Sequence, residues 1–532
     1  MNTLAKCLIR ATIYAMPVLF AVAAGSAQAR TSKLSPKISP ALAKQIAAIE
    51  AQSPPQTEAG HGDHGDQASA RQIPALVYML EQANVDKAYD LESKAERGRY
   101  VFRALVATAQ KSQRGLIAWL KSHKLEYKSY HLGNAIAVMD ATPEIIGELA
   151  SRPDVQRVVA DPKIRTKMPS TDRREMIEQQ PAGVGENIAK VGAERVWNEF
   201  GTRGSGIVIA GQDTGVQWDH PALKNQYRGW NGSTADHSYS WHDAIEKPVN
   251  NETVNTCGYN VKIPCDDNSH GTHTVGTVVG DDGGANKIGV APDAKWIACR
   301  NMDAGLGAPH TYLECFEFFL APYPQGSNAA TAGKPELAPH VINNSWGCDQ
   351  SEGCDGSEFL GVLKSLEAAG IMVVVSAGNS GPGCGSIESA PAHHTDETLS
   401  VGAYDHRSDK IASFSSRGPS LFDNGVGPDV TAPGVDVRSC TPGGSYAGSG
   451  WSGTSMAGPH VVGQVALMWS AAPALAGKIT ETIELIRATA NGKSSTQTCG
   501  NIPGTSVPNN TFGYGTINAY ESVKAAKAKF GE

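Results

Sequence analysis

The sequence predicts an α/β protein: a parallel sheet flanked by helices, preceded by a small α+β unit. Three observations carry this. Short apolar runs, each bounded by glycine, proline or polar residues, recur from about residue 186 onward. Helical patterns lie between those runs, and such alternation favours a parallel sheet covered by helices. A block at about 71–165 has another rhythm, read as strand, helix, strand, strand, helix, strand.

Taken in order, residues 1–29 read as an export leader. Lys6 and Arg10 precede the apolar "ATIYAMPVLFAVAA", and Ala27-Gln28-Ala29 offers a small-x-small cleavage pattern. The expected location is therefore secreted, extracellular or periplasmic. No later stretch reaches the roughly 18 apolar residues a membrane span needs. A composition 40% hydrophobic and 19% charged supplies a large core, and a net charge of −7 gives no support to a nucleic-acid groove or an anionic membrane surface. Ten cysteines fit an oxidising compartment. Cys7 leaves with the leader, so the odd remainder requires an unpaired thiol. Cys257/Cys265 is expected to bridge one loop and Cys440/Cys499 to tie down the C-terminal segment, although spacing alone does not fix connectivity.

Residues 30–70, rich in Ala, Ser, Pro and Gln, read as a low-complexity linker, and "HGDHGD" at 61–66 as a solvated part of it rather than a metal tract. In the next unit, 71–168, "RYVFRALVAT" reads as a strand, "QRGLIAWLKSH" as an amphipathic helix, and "LEYKSYHLGNAIAVM" as two strands about a Gly133-Asn134 turn. "ATPEIIGELASRP" opens on a Thr142 cap with Pro143 at the first helical position, and "DVQRVVADP" closes as a strand. This is the split order of ferredoxin-like folds. Residues 169–185 read as a second linker.

In 186–532 the expected strands are "GIVIAGQD", "AKWIACRNM", "PHVINNSWG", "IMVVVSAGN" and "ETLSVGAY". "SEFLGVLKSLEAAG" is a helix stopped by Gly370. Parallel sheets meet ligands just beyond the carboxyl ends of their strands, and chemistry-bearing residues stand there. Asp213 follows the first strand and Asn379 the fourth. His270 opens the helical run "HGTHTVGTVVG", and Ser455 opens "GTSMAGPHV".

A serine hydroxyl becomes nucleophilic when an imidazole takes its proton, and the imidazole needs a carboxylate to fix its tautomer. The Asn379 carboxamide and the Ser455 N–H are candidate donors to the developing oxyanion. Pro459 is compatible with a helix starting at about Ser455, because the first N–H groups of a helix have no intrahelical partner. Gly453 and Gly458 leave room for a substrate backbone. His273, which makes an H-x-x-H pair with His270, is read as structural.

"DTG", "HGTH", "SAGN" and "GTSMAGPHV", in this order, resemble the four signature blocks of the subtilisin-like serine proteases, the subtilases of peptidase family S8. "NNSWG" and "DTGVQWDHPALKNQYRGW" are similar to the bacillopeptidase F branch. The resemblance implies a subtilisin-like catalytic domain over 186–532 and a secreted endopeptidase acting on proteins through an acyl-enzyme. It implies that Ser455 attacks, His270 shuttles the proton, Asp213 orients His270, and Asn379 serves the oxyanion. Ser345, Trp346 and Gly347 would pair with an extended substrate, and Ser376, Ala377 and Gly378 would wall a specificity pocket. The unit 71–168 resembles an inhibitor I9-type propeptide, an intramolecular chaperone and inhibitor released by a cut between about 166 and 186. A monomer is expected.

The resemblance requires no cofactor for the chemistry and leaves a structural calcium open. Ala222 stands where many family members carry a ligand, and Asp281 and Asp282 either supply other oxygens or form a solvated turn. Ser389 and Ala390 fall at the pocket base, with Glu388 nearby as a candidate for basic side chains. Cys348, Cys354 and Cys384 fall near the cleft, bridged or free. The insertion holding Trp230, Trp241 and His242 borders the cleft or is a surface excursion. The alternatives are a narrow processing protease, and a non-catalytic binding protein, which would lack one of the three catalytic side chains.

Overall fold

The computed structural model describes residues 34–52, 72–166, 183–249, 254–394, 396–447 and 450–531. The leader, "HGDHGD" and almost all of the 169–185 linker lie outside them.

Four antiparallel strands form the N-terminal sheet: β1 (Ile73–Met79), β2 (Tyr127–Tyr130), β3 (Ala135–Ala141) and β4 (Val155–Ala160), in the order β2-β3-β1-β4. The "RYVFRALVAT" segment is not a strand. It lies inside a helix, Lys94–Ser112, opened by a capping box in which Ser93 Oγ accepts from Glu96 N and Glu96 accepts from Ser93 N. Val101, Leu105 and Ala109 recur every four residues and are buried, so the apolar period is helical. The strand expected there is supplied by β1. Arg114–Ser122 is helical as expected, and Thr142 caps Pro143–Ser151 through Ile145 N.

The linker reading of 30–70 also needs correction. Pro40–Gln52 is a helix whose Leu42 and Ile46 pack with Ala75, Val77, Leu116 and Ile146 on one face of the sheet. The other face presents Leu76, Tyr78 and Ala137 to Phe316, Phe319 and Leu363 of the larger unit.

The larger sheet is built from β5 (Val208–Asp213), β6 (Trp241–Asp243), β7 (Lys295–Arg300), β8 (Val341–Asn344), β9 (Met372–Ser376), β10 (Leu399–Asp405), β11 (Lys410–Ile411) and β12 (Val430–Pro433). Its order is β11-β10-β9-β8-β5-β7-β6 with β12 beside β10, all parallel except β11. All five strands expected from the sequence are present.

Side chains alternate between two covered faces. Ile209, Val374 and Val401 pack with Val275 and Val278 of α1 (His270–Val279) and Val461 and Val465 of α2 (Thr454–Ala471). Ala210, Val373 and Val375 pack against Phe316 of α3 (Pro309–Leu320) and Leu363 of Leu360–Ala368. Burial on both faces explains why these strands are apolar throughout. The order reverses at β5, which has β7 on one side and the later β8 on the other. That reversal opens a crevice at the carboxyl ends of β5 and β8.

Candidate active site

Asp213 is the last residue of β5, level with Arg300 of β7, while Gln212 pairs with Asn344, the last residue of β8. The next residue, Ser345, therefore stands at the mouth of the crevice. Gly215 has φ +107°, and a Cβ on it would overlap Cys265 O, so the "DTG" turn requires glycine there. A Cβ on Gly271 would strike Gly215 O, which lets α1 dock tightly against that turn.

His270 is the first residue of α1 and is fully buried. Its Nδ1 lies 2.8 Å from Asp213 Oδ1 and 2.9 Å from Oδ2. Asp213 Oδ1 also accepts from Thr214 N at 2.8 Å. Burial alone would lower the imidazole pKa; the Asp213 carboxylate, through charge and hydrogen bond, outweighs it and holds His270 above the ordinary 6.5. His270 Nε2 has no hydrogen-bond partner among the described residues.

Asp266 is a positioning residue that the motifs did not reveal. Its Oδ1 accepts from Asn268 N, Ser269 N and Thr214 Oγ1, and its Oδ2 from Thr272 N and Thr272 Oγ1. It thus caps α1 and ties it to the turn after Asp213. The Asp-x-x-x-x-x-Thr spacing ahead of a histidine helix was its only sequence trace.

Ser455 is the second residue of α2, so its N–H has no intrahelical acceptor and faces the crevice with the positive end of the helix dipole. Asn379 Oδ1 accepts from Thr454 N at 2.9 Å and Thr454 Oγ1 at 3.0 Å. With its oxygen so engaged, the carboxamide turns its NH2 group toward the cleft that Asn379 lines with Ser455. Ser455 Oγ donates to Ser345 O at 3.2 Å.

Pro459 sits deeper in the helix than expected, at its sixth residue, past the positions whose N–H groups are free. It withholds the N–H that Ser455 O would accept, and Ser345 Oγ lies 3.3 Å from that carbonyl instead.

Ser345, Trp346, Gly347, Ser376, Gly378 and Ser389 line the same cleft. Ala377 does not: it is buried in the core, with its N–H on Val401 O. Glu388 is not among the lining residues; Asp349 and Glu352 are. His273 is structural as read, with Nε2 on Val437 O and its ring stacked on Trp451, and burial lowers its pKa to about 3. The insertion packs on the sheet edge, where His242 meets Glu314 at 2.7 Å.

Asp281 and Asp282 do not fit a cation. Asp281 Oδ2 is 2.8 Å from Arg203 Nη2, while Asp282 accepts from Gly284 N, Asn286 and the Tyr446 hydroxyl. Among the described residues no group of three or more His, Cys, Asp or Glu is arranged to hold a metal.

Among the described residues four disulfides form: Cys257–Cys265, Cys299–Cys315, Cys348–Cys354 and Cys384–Cys499. The first agrees with the sequence reading. The Cys440/Cys499 expectation is overturned, because Cys499 closes on Cys384 and Cys440 is the free thiol among the described residues, buried against α1 with Sγ 3.5 Å from Thr272 O.

A carboxylate at a strand end hydrogen-bonded to an imidazole at a helix start, and a serine and a carboxamide lining the cleft, are the side-chain types that hydrolases with a serine nucleophile use. Residues 204–515 match Peptidase S8, the subtilase family, and the chain belongs to this family of serine-type endopeptidases. It is 35% identical over 474 residues to Bacillopeptidase F of Bacillus subtilis, covering 85% of this chain and 31% of that protein. It thus spans about a third of that relative. It is 29% identical to the intracellular serine protease of Paenibacillus polymyxa, over 55% of this chain and 74% of that protein. Against the alkaline protease of Alkalihalobacillus alcalophilus the identity is 30%, over 65% and 73%. No described helix is long and apolar enough to cross a membrane.

Proposed function

We propose that the chain is a secreted serine endopeptidase made as a self-processing zymogen. The observation that carries the reading is the buried Asp213–His270 pair, taken with a serine at a helix start that lines the cleft. In the reaction, Ser455 turns from Ser345 O to His270 Nε2, which takes its proton as Oγ attacks the scissile carbonyl. Asp213 stabilises the resulting imidazolium, and Asn379 Nδ2 and Ser455 N–H stabilise the oxyanion. His270 then protonates the leaving amine, and a water activated by the same nitrogen releases the acid from the acyl-enzyme.

The zymogen reading has its own support. Ile164–Arg165 pairs antiparallel with Leu306–Gly307, Thr166 N donates to Gly305 O at 3.0 Å, and Arg165 and Thr166 line the cleft with Ser455. This is how an extended peptide adds a strand to a sheet edge. The unit 71–168 therefore acts as chaperone and inhibitor, and maturation cuts between 166 and 186. Four disulfides favour an oxidising, extracellular location.

The test is casein hydrolysis by the matured protein, together with fluorophosphonate labelling mapped by peptide mass. Labelling at Ser455 with loss of activity is expected; activity that persists with Ser455 unmodified would reject the assignment.

A further inference from the structure

Among the described residues of 183–531, those that line the cleft include two carboxylates, Asp349 and Glu352, and no lysine or arginine. Both stand on the loop closed by Cys348–Cys354, a bridge between residues six apart. Cys348 exchanges two backbone hydrogen bonds of 2.9 Å with Ala390, which locks the loop against the segment carrying Ser389. Asp349 Oδ1 accepts from Ser351 Oγ at 2.6 Å and Glu352 N at 3.0 Å, and Asp349 N donates to Glu352 Oε2 at 3.3 Å. The two acids are thus fixed with respect to Ser455 rather than carried on a free loop.

Two further observations mark the same cavity as a place that receives a donor-bearing side chain. Ser376 Oγ lines it, is 7% exposed and has no hydrogen-bond partner among the described residues. Arg165 of the N-terminal unit also lines it, so the peptide already seated there brings a basic residue. In the sequence the residue after Thr166 is another base, Lys167.

We infer that Asp349 and Glu352 determine specificity, and that the site cuts after lysine or arginine in preference to large apolar residues. This rests on the endopeptidase reading. The carboxylates pair with the ammonium or guanidinium of the residue before the cut, while the Ser376 hydroxyl accepts one of its hydrogens. Opposite charges brought close in a confined cleft favour a basic side chain over a neutral one of similar size.

The test uses the matured enzyme and peptide substrates that differ only in Lys, Arg, Leu or Phe before the scissile bond. The wild type should favour Lys and Arg by about tenfold or more in kcat/KM. Glu352→Gln, and separately Asp349→Asn, should lower kcat/KM on the basic substrates about tenfold while leaving Leu and Phe within about threefold. Undiminished apolar hydrolysis and stoichiometric fluorophosphonate labelling show that a variant is folded. A wild-type preference for Leu or Phe, or a basic preference that neither substitution reduces, overturns the inference while leaving the protease intact. Absence of both labelling and hydrolysis removes the protease reading and this inference with it.

Discussion

Ser345 and Ser455 exchange two hydrogen bonds: the Ser455 hydroxyl donates to the Ser345 carbonyl at 3.2 Å, and the Ser345 hydroxyl reaches the Ser455 carbonyl at 3.3 Å. The second bond exists because Pro459 has no N–H to offer. In an inactive Ser455→Ala background, Ser345→Ala should destabilise by about 1–3 kcal/mol by leaving a buried carbonyl unpaired. Adding Pro459→Ala restores an N–H and should recover about 1 kcal/mol of that loss. A double-mutant cycle by urea unfolding measures it, and strictly additive effects would show that the two residues do not share this carbonyl.

Replacing Asn379 by Ala should lower kcat about 100- to 1,000-fold with little change in KM, the range this family sets for its oxyanion amide. Steady-state kinetics on a peptide amide decides this. A rise in KM at constant kcat would assign Asn379 to ground-state binding instead.

The pH dependence follows from His270. The base must be neutral, and a pKa held above 6.5 means that protonation begins at higher pH. The acid limb of kcat/KM should therefore have its midpoint above 6.5 and fall as pH drops through it. Asp213→Asn should move the midpoint down and slow the reaction about 10⁴-fold. A midpoint below 6.5 in the wild type would contradict the geometry.

A similar sign governs the hold of the N-terminal unit. Asp161 Oδ2 lies 2.6 Å from His310 Nδ1 at the start of α3; burial depresses the imidazole, and Asp161 more than offsets it, raising the pKa. The stabilisation is fully present below the free histidine pKa and is lost as pH rises through the raised value. After processing, the unit should release more readily at alkaline pH, as read by size-exclusion chromatography. His310→Gln should flatten the dependence.

Burial pushes the Cys440 thiol up to about 12. Once the leader with Cys7 is removed, the folded protein should show no thiol titratable by Ellman's reagent, and the unreduced, unfolded protein one. A native titre of one would mean that Cys440 is accessible, and a titre of two or more that a disulfide is open.

The five central strands were legible because burial on both faces makes them continuous apolar runs, and Asp213, His270, Asn379 and Ser455 because each stands in a compact motif at an element end. The strand β1 was missed: buried on both faces and carrying Pro74, it shows no alternation. The helix Lys94–Ser112 was misread from its β-branched and aromatic residues, although Ser93 and Glu96 already marked a helix start. Asp349 and Glu352 reach the cleft on a loop closed by a disulfide, and Asp266 caps a helix, both through contacts that spacing does not reveal. Cysteine pairing failed for the same reason at Cys440 and Cys499.

The most direct measurement follows the precursor and its Ser455→Ala variant side by side under folding conditions, reading chain length by intact mass and activity on casein. The account predicts that only the wild type sheds an N-terminal piece ending between 166 and 186 and becomes active. Shedding by the Ser455→Ala chain alone in solution, or a wild type that stays full length and inert, would contradict it.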